Sequence, residues 1–170
     1  MNVTGSKVVI VGAGNVGATT AFSLTVQEVC SELVLVDQNN EKALGEVMDL
    51  QHSIEYLNRN IRISVGGYDA CKDAHIVVIT ASGSMEGVTS RLDLLHKNIP
   101  IMDNVVDNIM ASGFDGHIIV VSNPVDILSY YVYKRSGLPK AQVIGTGTSI
   151  ETARLKQIIG DRMRVDPRSV

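Results

Sequence analysis

The chain has 170 residues, 45% hydrophobic and 19% charged, with a formal net charge of −3. That size and balance suit one globular domain with a sizeable core. The mild acidity and the absence of any basic run exclude a nucleic-acid electrostatic footprint, and no apolar stretch approaches the length of a membrane span. The N-terminal MNVTGSK enters the first strand directly, without an apolar signal segment. Cys30 and Cys71 have no metal-like spacing, so no metal site is expected and both read as packing residues of a protein in the reducing cytoplasm.

Taken in order, a β-branched run from Val8 to Val11 meets Gly12-Ala13-Gly14-Asn15-Val16-Gly17. A small-residue helical pattern follows, and then a second apolar run ending in Asp37. Residues 39–56 predict a helix with Ala43, Leu44, Val47, Met48 and Leu50 on its apolar face. Ile61–Val65 alternates as a half-buried strand, closed by Gly66-Gly67-Tyr68. A short helical turn is expected from Cys71 to Ala74, and His75–Thr80 has parallel-strand character. Ala81–Ser90 is a Gly/Ser-rich loop, and Arg91–Ser112 a long helix interrupted at Pro100. Gly116–Val121 predicts a strand closed by Ser122-Asn123-Pro124, and Asp126–Ser136 a helix. Gly137-Leu138-Pro139 is a turn and Val143–Gly145 a last short strand. Ser149 is placed as the cap of a final helix running to Asp161, with Glu151 and Thr152 in its first turn.

Strands alternating with helices along the whole chain predict an α/β fold of Rossmann type. This is a doubly wound, mostly parallel sheet of six strands with helices on both faces. Ligands of such sheets sit beyond the carboxyl ends of the strands, where this chain places its glycines and unusual polar residues. Gly12 permits a tight turn, Gly14 lets the backbone approach a pyrophosphate, and Gly17 lets the helix pack on the strand. Asp37 accepts from both ribose hydroxyls of an adenosine and repels a 2′-phosphate, which predicts NAD rather than NADP. A glycine turn of purely structural purpose, with Asp37 a solvated strand-end acid, is the plainer alternative.

With these residues laid out, VGAGNVGATTAF, GEVMDLQHS, SRLDLL, ASGFDG, VVSNPVDIL, VIGTGTSIETARLK and VDPRSV resemble the L-lactate and L-2-hydroxyacid dehydrogenase family, 2-hydroxyisocaproate-like members included. The resemblance covers essentially the whole chain and implies hydride transfer between NAD and a 2-hydroxy or 2-keto acid. It implies that residues 1–148 are the NAD-binding domain and 149–170 the start of the substrate-side region, with the C-terminal substrate domain absent. Gly12, Gly14, Asn15, Val16 and Gly17 then form the phosphate turn, and Asp37, Lys42 and Tyr68 line the adenosine side. Thr80, Ala81, Ser82, Gly83, Ser122, Asn123 and Thr146 lie toward the nicotinamide. Arg91 matches the loop arginine that polarises the substrate carbonyl, Arg154 the one that grips its carboxylate, and Asn123 the residue that bonds the substrate oxygen. Read alone, the two arginines are ordinary solvated helix residues, and Asn123-Pro124 is a turn signal whose isomer the sequence leaves open. Met102 and Met110, with Met48, read as core. His52, His75, His96 and His117 match no catalytic position and read as structural or surface residues. Family members are commonly homo-oligomers, tetramers or dimers.

The chain also departs from the family pattern. It stops at Val170 without the family's GEHG-type proton-transferring histidine, which predicts a cofactor-binding polypeptide with little or no turnover. Glu151 stands where the family has the aspartate that orients that histidine. Met85 occupies the specificity position, where a malate enzyme carries arginine. This disfavours oxaloacetate and admits larger aliphatic 2-keto acids beside pyruvate. Lys156 replaces an arginine associated with fructose-bisphosphate activation, which argues against that regulation. Two other readings stay open: a non-catalytic dinucleotide-binding or interaction module, and a fragment of a malate dehydrogenase.

Overall fold

The computed structural model describes residues 5–58, 60–84, 86, 87 and 89–170. Six strands form one sheet: β1 (Lys7–Val11), β2 (Glu32–Val36), β3 (Arg62–Val65), β4 (Ile76–Ile79), β5 (His117–Val120) and β6 (Val143–Gly145). Every neighbouring pair is parallel, in the order β3-β2-β1-β4-β5-β6. The two-residue side-chain period sorts the apolar runs onto two faces. Val8, Ile10, Leu33, Leu35 and Ile63 face one way, packing with Ala21 of α1 (Asn15–Val26) and Ala43, Val47 and Leu50 of α2 (Asn40–Ser53). Val9, Val11, Val34, Val77, Ile79 and Ile118 face the other. There they pack with Met102, Val105 and Ile109 of α3 (Arg91–Ala111) and Leu128 and Val132 of α4 (Val125–Ser136). Burying each such aliphatic side chain is worth about 1.5–3 kcal/mol, which makes these faces the main source of stability.

The path of the chain explains the two faces. It winds outward from β1 through β2 to β3, then returns to lay β4 on the other side of β1. Right-handed crossovers therefore put α1 and α2 on one face and α3 and α4 on the other. The strand order reverses between β1 and β4, and the crevice beyond their carboxyl ends is where such sheets bind ligands.

Several local expectations are corrected. The long helix α3 runs unbroken through Pro100. Pro100 and His96, whose carbonyl loses its helical partner, are both exposed residues. The last helix, α5 (Gly147–Met163), starts two residues before the predicted cap, with Thr146 at its N-cap and no side-chain cap bond. Glu151 therefore lies beyond the first turn. The Asp126 carboxylate crowds Gly147 so closely that a Cβ there would fall 2.3 Å from Oδ1, which places a negative group beside the positive end of the α5 dipole. Leu44 and Met48 are 52% and 47% exposed, so the apolar stripe of α2 is narrower than its sequence suggests. Met102 is buried and Met110 half-buried. The turn expected near Cys71–Ala74 is present, closed by the Ala74 N–H to Cys71 carbonyl bond (3.0 Å), and it begins earlier, with a 3-10 turn at Tyr68–Cys71. The Asn123–Pro124 bond is cis.

Candidate functional site: a crevice at the switch point

The glycine turn is built from both neighbouring strands. The Gly12 N–H donates to the Val36 carbonyl (2.8 Å) and the Thr80 N–H to that of Val11 (2.9 Å), so β2 and β4 hold the end of β1 between them. Gly12 has φ +107°, and a Cβ on it would fall 2.7 Å from the Ala81 nitrogen. A Cβ on Gly17 would fall 1.8 Å from the Gly12 carbonyl oxygen. Gly14 differs: a Cβ there meets nothing within 4 Å, because the space above it belongs to the cleft. Helix α1 starts at this point without a side-chain cap, and its first backbone bond is Ala18 N–H to Gly14 O (2.8 Å). The N–H groups of Asn15, Val16 and Gly17 find no backbone acceptor among the described residues. Free donors at the positive end of a helix dipole, beside an open glycine, fit a diphosphate.

On the β2 side, the Asp37 carboxylate is fixed at both oxygens. Oδ2 accepts from the Ala13 N–H (2.6 Å) and Oδ1 from the Asn39 N–H (2.8 Å). Each oxygen keeps a lone pair for a further donor. Asn39 in turn caps α2 by accepting from the Lys42 N–H at 3.0 Å, and Lys42 lines the cleft, its ammonium making no ion pair among the described residues. Burial pushes the Tyr68 phenol up, with Cys71 and Asp37 adding to the effect, so Tyr68 stays a protonated donor at neutral pH.

On the β4 side, the Thr80 hydroxyl donates to the Gly12 carbonyl (2.8 Å) and so anchors the turn. Ser122 is buried and donates to the Ala81 carbonyl (2.6 Å), joining the ends of β4 and β5. The Thr146 N–H donates to the Val120 carbonyl (3.1 Å). Asn123 exposes its side chain, while its carbonyl accepts from Asn98 Nδ2 at 2.7 Å.

These elements enclose a cleft of about 890 Å³. It is lined by Gly12, Gly14, Asn15 and Val16, by Asp37, Lys42 and Tyr68, and by Thr80, Ala81, Ser82 and Gly83. Gly17, Ser122, Asn123 and Thr146 lie outside its lining. The opposite wall is Pro100, Ile101, Asn104 and Val105 of α3, none of which the sequence marked as a site residue. Their signal was a stripe spaced by four residues, legible only once α3 is known to run straight through Pro100. Val11, Val36, Gln38, Asn39 and Ser84 complete the lining.

Arg91 is the exposed first residue of α3 and is not part of the cleft lining. Its position is set by a capping box. Ser90 accepts from the Asp93 N–H (3.1 Å), and Asp93 Oδ2 accepts from the Ser90 N–H (2.9 Å) and the Thr89 hydroxyl (2.8 Å). These bonds, those from Thr89 first, hold the Asp93 carboxyl below its usual range. Arg154 sits on exposed α5, and its Nη1 pairs with Glu151 Oε2 at 2.9 Å. Met85 lies outside the described residues. The four histidines are exposed, and none lines the cleft. Among the described residues, no cluster of His, Cys, Asp or Glu is arranged to hold a metal ion.

Comparison with known proteins agrees with this arrangement. Residues 6–145 match the family described as lactate/malate dehydrogenase, NAD binding domain. The chain is 50% identical over 97% of its length to L-lactate dehydrogenase 1 of Bifidobacterium longum, of which it covers 52%. It is 49% identical over 98% of its length to L-lactate dehydrogenase of Halalkalibacterium halodurans, of which it covers 54%. The crystal structure of minor L-lactate dehydrogenase from Enterococcus mundtii in the ligands-bound form superposes with a TM-score of 0.92 at 45% identity, covering 96% of this chain and 52% of that one. The chain thus spans about half the length of the relatives it matches. A parallel sheet of this order, an uncapped glycine turn beneath an open cleft, and these matches place the chain in the lactate/malate dehydrogenase family, as its NAD-binding domain.

Proposed function

We propose that this chain is the cofactor half of an NAD-dependent L-lactate or related L-2-hydroxyacid dehydrogenase, with pyruvate or a larger 2-keto acid as substrate. The observation that carries the reading is the crevice that joins the free amides of α1 to the doubly anchored Asp37 carboxylate. When bound, NAD supplies the hydride acceptor or donor, and the chain's residues hold, orient and polarise. Asn15, Val16 and the open face of Gly14 receive the diphosphate, and Asp37 receives the adenosine ribose. Ser82, Gly83 and Asn123 border the reacting end.

In this reading Arg91, carried at the start of α3, brings a fixed cation to the substrate carbonyl. Arg154 offers the planar fork that grips a carboxylate. Glu151 already occupies one arm of that fork, so a substrate carboxylate competes with it. Met85 has no charge to pair with a second carboxylate, which favours monocarboxylic 2-keto acids over oxaloacetate. We place the domain boundary near residue 148, with residues 149–170 opening the substrate side, and assign the assembled protein to the cytoplasm as a homo-oligomer.

A second reading, a dinucleotide-binding module without catalysis, is favoured by the exposed histidines that stand away from the cleft. Among the described residues no imidazole lines the cleft, where the proton that accompanies the hydride would move. The test is an NADH titration of the 170-residue polypeptide followed by a pyruvate turnover assay on the same sample. Binding with slow or undetectable turnover is the expected result. Brisk turnover overturns the proton-donor argument, and failure to bind NADH overturns the reading itself.

A further inference from the structure

Asn98 is a polar, fully buried residue of α3. Its amide spends both ends on the β4 side of the crevice. Oδ1 accepts from the Gly83 N–H at 2.8 Å, and Nδ2 donates to the Asn123 carbonyl at 2.7 Å and to Ser82 Oγ at 3.2 Å. One rigid side chain on α3 therefore ties the loop after β4 to the turn after β5, two backbone segments with no strand pairing beyond Ile79 and Val120. The next residue, Lys97, adds a tether by donating from Nζ to the carbonyls of Ser84 (3.3 Å) and Glu86.

We infer that Asn98 is a positioning residue that sets one half of the dinucleotide crevice without touching the other. Asp37, at the end of β2, fixes where the adenosine lies, so the second nucleotide extends across the switch point toward β4 and β5. Ser82 and Gly83 line that second half, Asn123 follows β5 outside the lining, and Asn98 holds all three. Among the described residues Asn98 bonds to Ser82, Gly83 and Asn123 and not to Asp37, Lys42 or Tyr68 on the adenosine side. The side chain must both donate and accept, which neither leucine nor aspartate reproduces.

This inference rests on the NAD reading, and its test separates the two. Asn98→Ala and Asn98→Asp are compared with the parent chain in calorimetric titrations with NADH and with ADP, alongside thermal unfolding. Asn98→Asp keeps the acceptor for Gly83 and loses the donor to Asn123. NADH affinity is expected to fall about tenfold or more in Asn98→Ala, the scale of leaving buried partners unpaired, and at least as far in Asn98→Asp, whose second carboxylate oxygen is set against the Asn123 carbonyl. ADP affinity is expected to stay within about twofold of the parent, since no bond on the adenosine side is lost. Unchanged NADH affinity overturns the inference, and so does a parallel loss of ADP affinity, which is what general loosening of the fold gives. If Asn98→Ala does not fold, the same two readings on Asn98→Asp decide. A parent chain that binds ADP but not NADH also overturns it, whereas one that binds neither sinks the NAD reading first.

Discussion

Gly17 and Gly14 separate two demands that a glycine motif conflates. A Cβ added at Gly17 would lie 1.8 Å from the Gly12 carbonyl oxygen and 2.8 Å from Thr80 Oγ1. The gap between α1 and β1 must open by roughly 1.5 Å before that contact becomes ordinary. The Gly12 oxygen is also the acceptor of the Thr80 hydroxyl, so it has little room to move. Overpacking of this kind costs about 1–3 kcal/mol. For a chain of this size that lowers Tm by roughly 2–12 °C. The amides of α1 shift with the helix, and a displacement of ~1 Å can cost ~10²-fold where geometry matters. Gly17→Ala should therefore lose both stability and NADH affinity. At Gly14, where φ is −72° and a Cβ meets nothing within 4 Å, alanine fits without strain. Gly14→Ala should match or slightly exceed the parent Tm, by up to about 1 kcal/mol of unfolded-state entropy, yet bind NADH more weakly because the methyl occupies the diphosphate's approach. Thermal unfolding and calorimetry on both variants give the answer. A Gly17→Ala chain with parent stability, or a Gly14→Ala chain with parent affinity, refutes the assignment of roles.

Other expectations follow from particular groups. Asp37→Ser removes the charge that opposes a 2′-phosphate; at ~4 Å in water that opposition is ~1 kcal/mol per unit charge, so the NADH-over-NADPH preference should narrow by about tenfold or more in competitive titration. Pro100→Ala restores a helical N–H in the middle of α3 and should raise Tm, by at most the ~3 kcal/mol that separates the two residues in helices. Burial pushes the Cys71 thiol up to about 11. Because the folded state then holds the proton longer than the unfolded one, stability from this group is constant below about pH 8.5 and falls as pH rises from there toward about 11. An alkaline series of melting curves checks the trend, and Cys71 should resist thiol reagents until the chain unfolds. In acid the sign reverses. Lys7 lowers the Asp73 carboxyl and Arg135 lowers that of Asp107, so their contribution holds above about pH 4 and is lost below it. Melting temperatures that are flat through this range would contradict the assignment.

The fold was legible because its signals are periodic and redundant. Six β-branched runs, each bounded by glycine or a polar turn, leave few alternatives to a parallel sheet. The phosphate turn was legible for the same reason: Gly12, Gly14 and Gly17 each answer a different local demand at a fixed spacing. What escaped was set by tertiary context. Nothing in the sequence marks Asn98 as different from the solvated asparagines of α3, since its role exists only where two loops meet that helix. The α3 wall of the cleft was hidden by Pro100, whose usual helix-breaking cost is overridden here by the capping box at Ser90 and by the burial of Met102, Val105 and Val106. The start of α5 was misplaced because Ser149 is the more familiar cap, while Gly147 is admitted by its close fit under Asp126. Leu44 and Met48 followed the helical pattern yet face outward, because α2 covers its neighbours with a narrower stripe.

The central claim is that the Gly12–Gly17 turn and Asp37 form a dinucleotide crevice selective for NAD. The measurement that tests it most directly is calorimetric titration of the 170-residue chain with NADH and, in parallel, with NADPH. Saturable binding of NADH with NADPH at least about tenfold weaker is the predicted result. Equal affinity for the two would show that Asp37 does not face the ribose, and no binding of either would contradict the crevice itself.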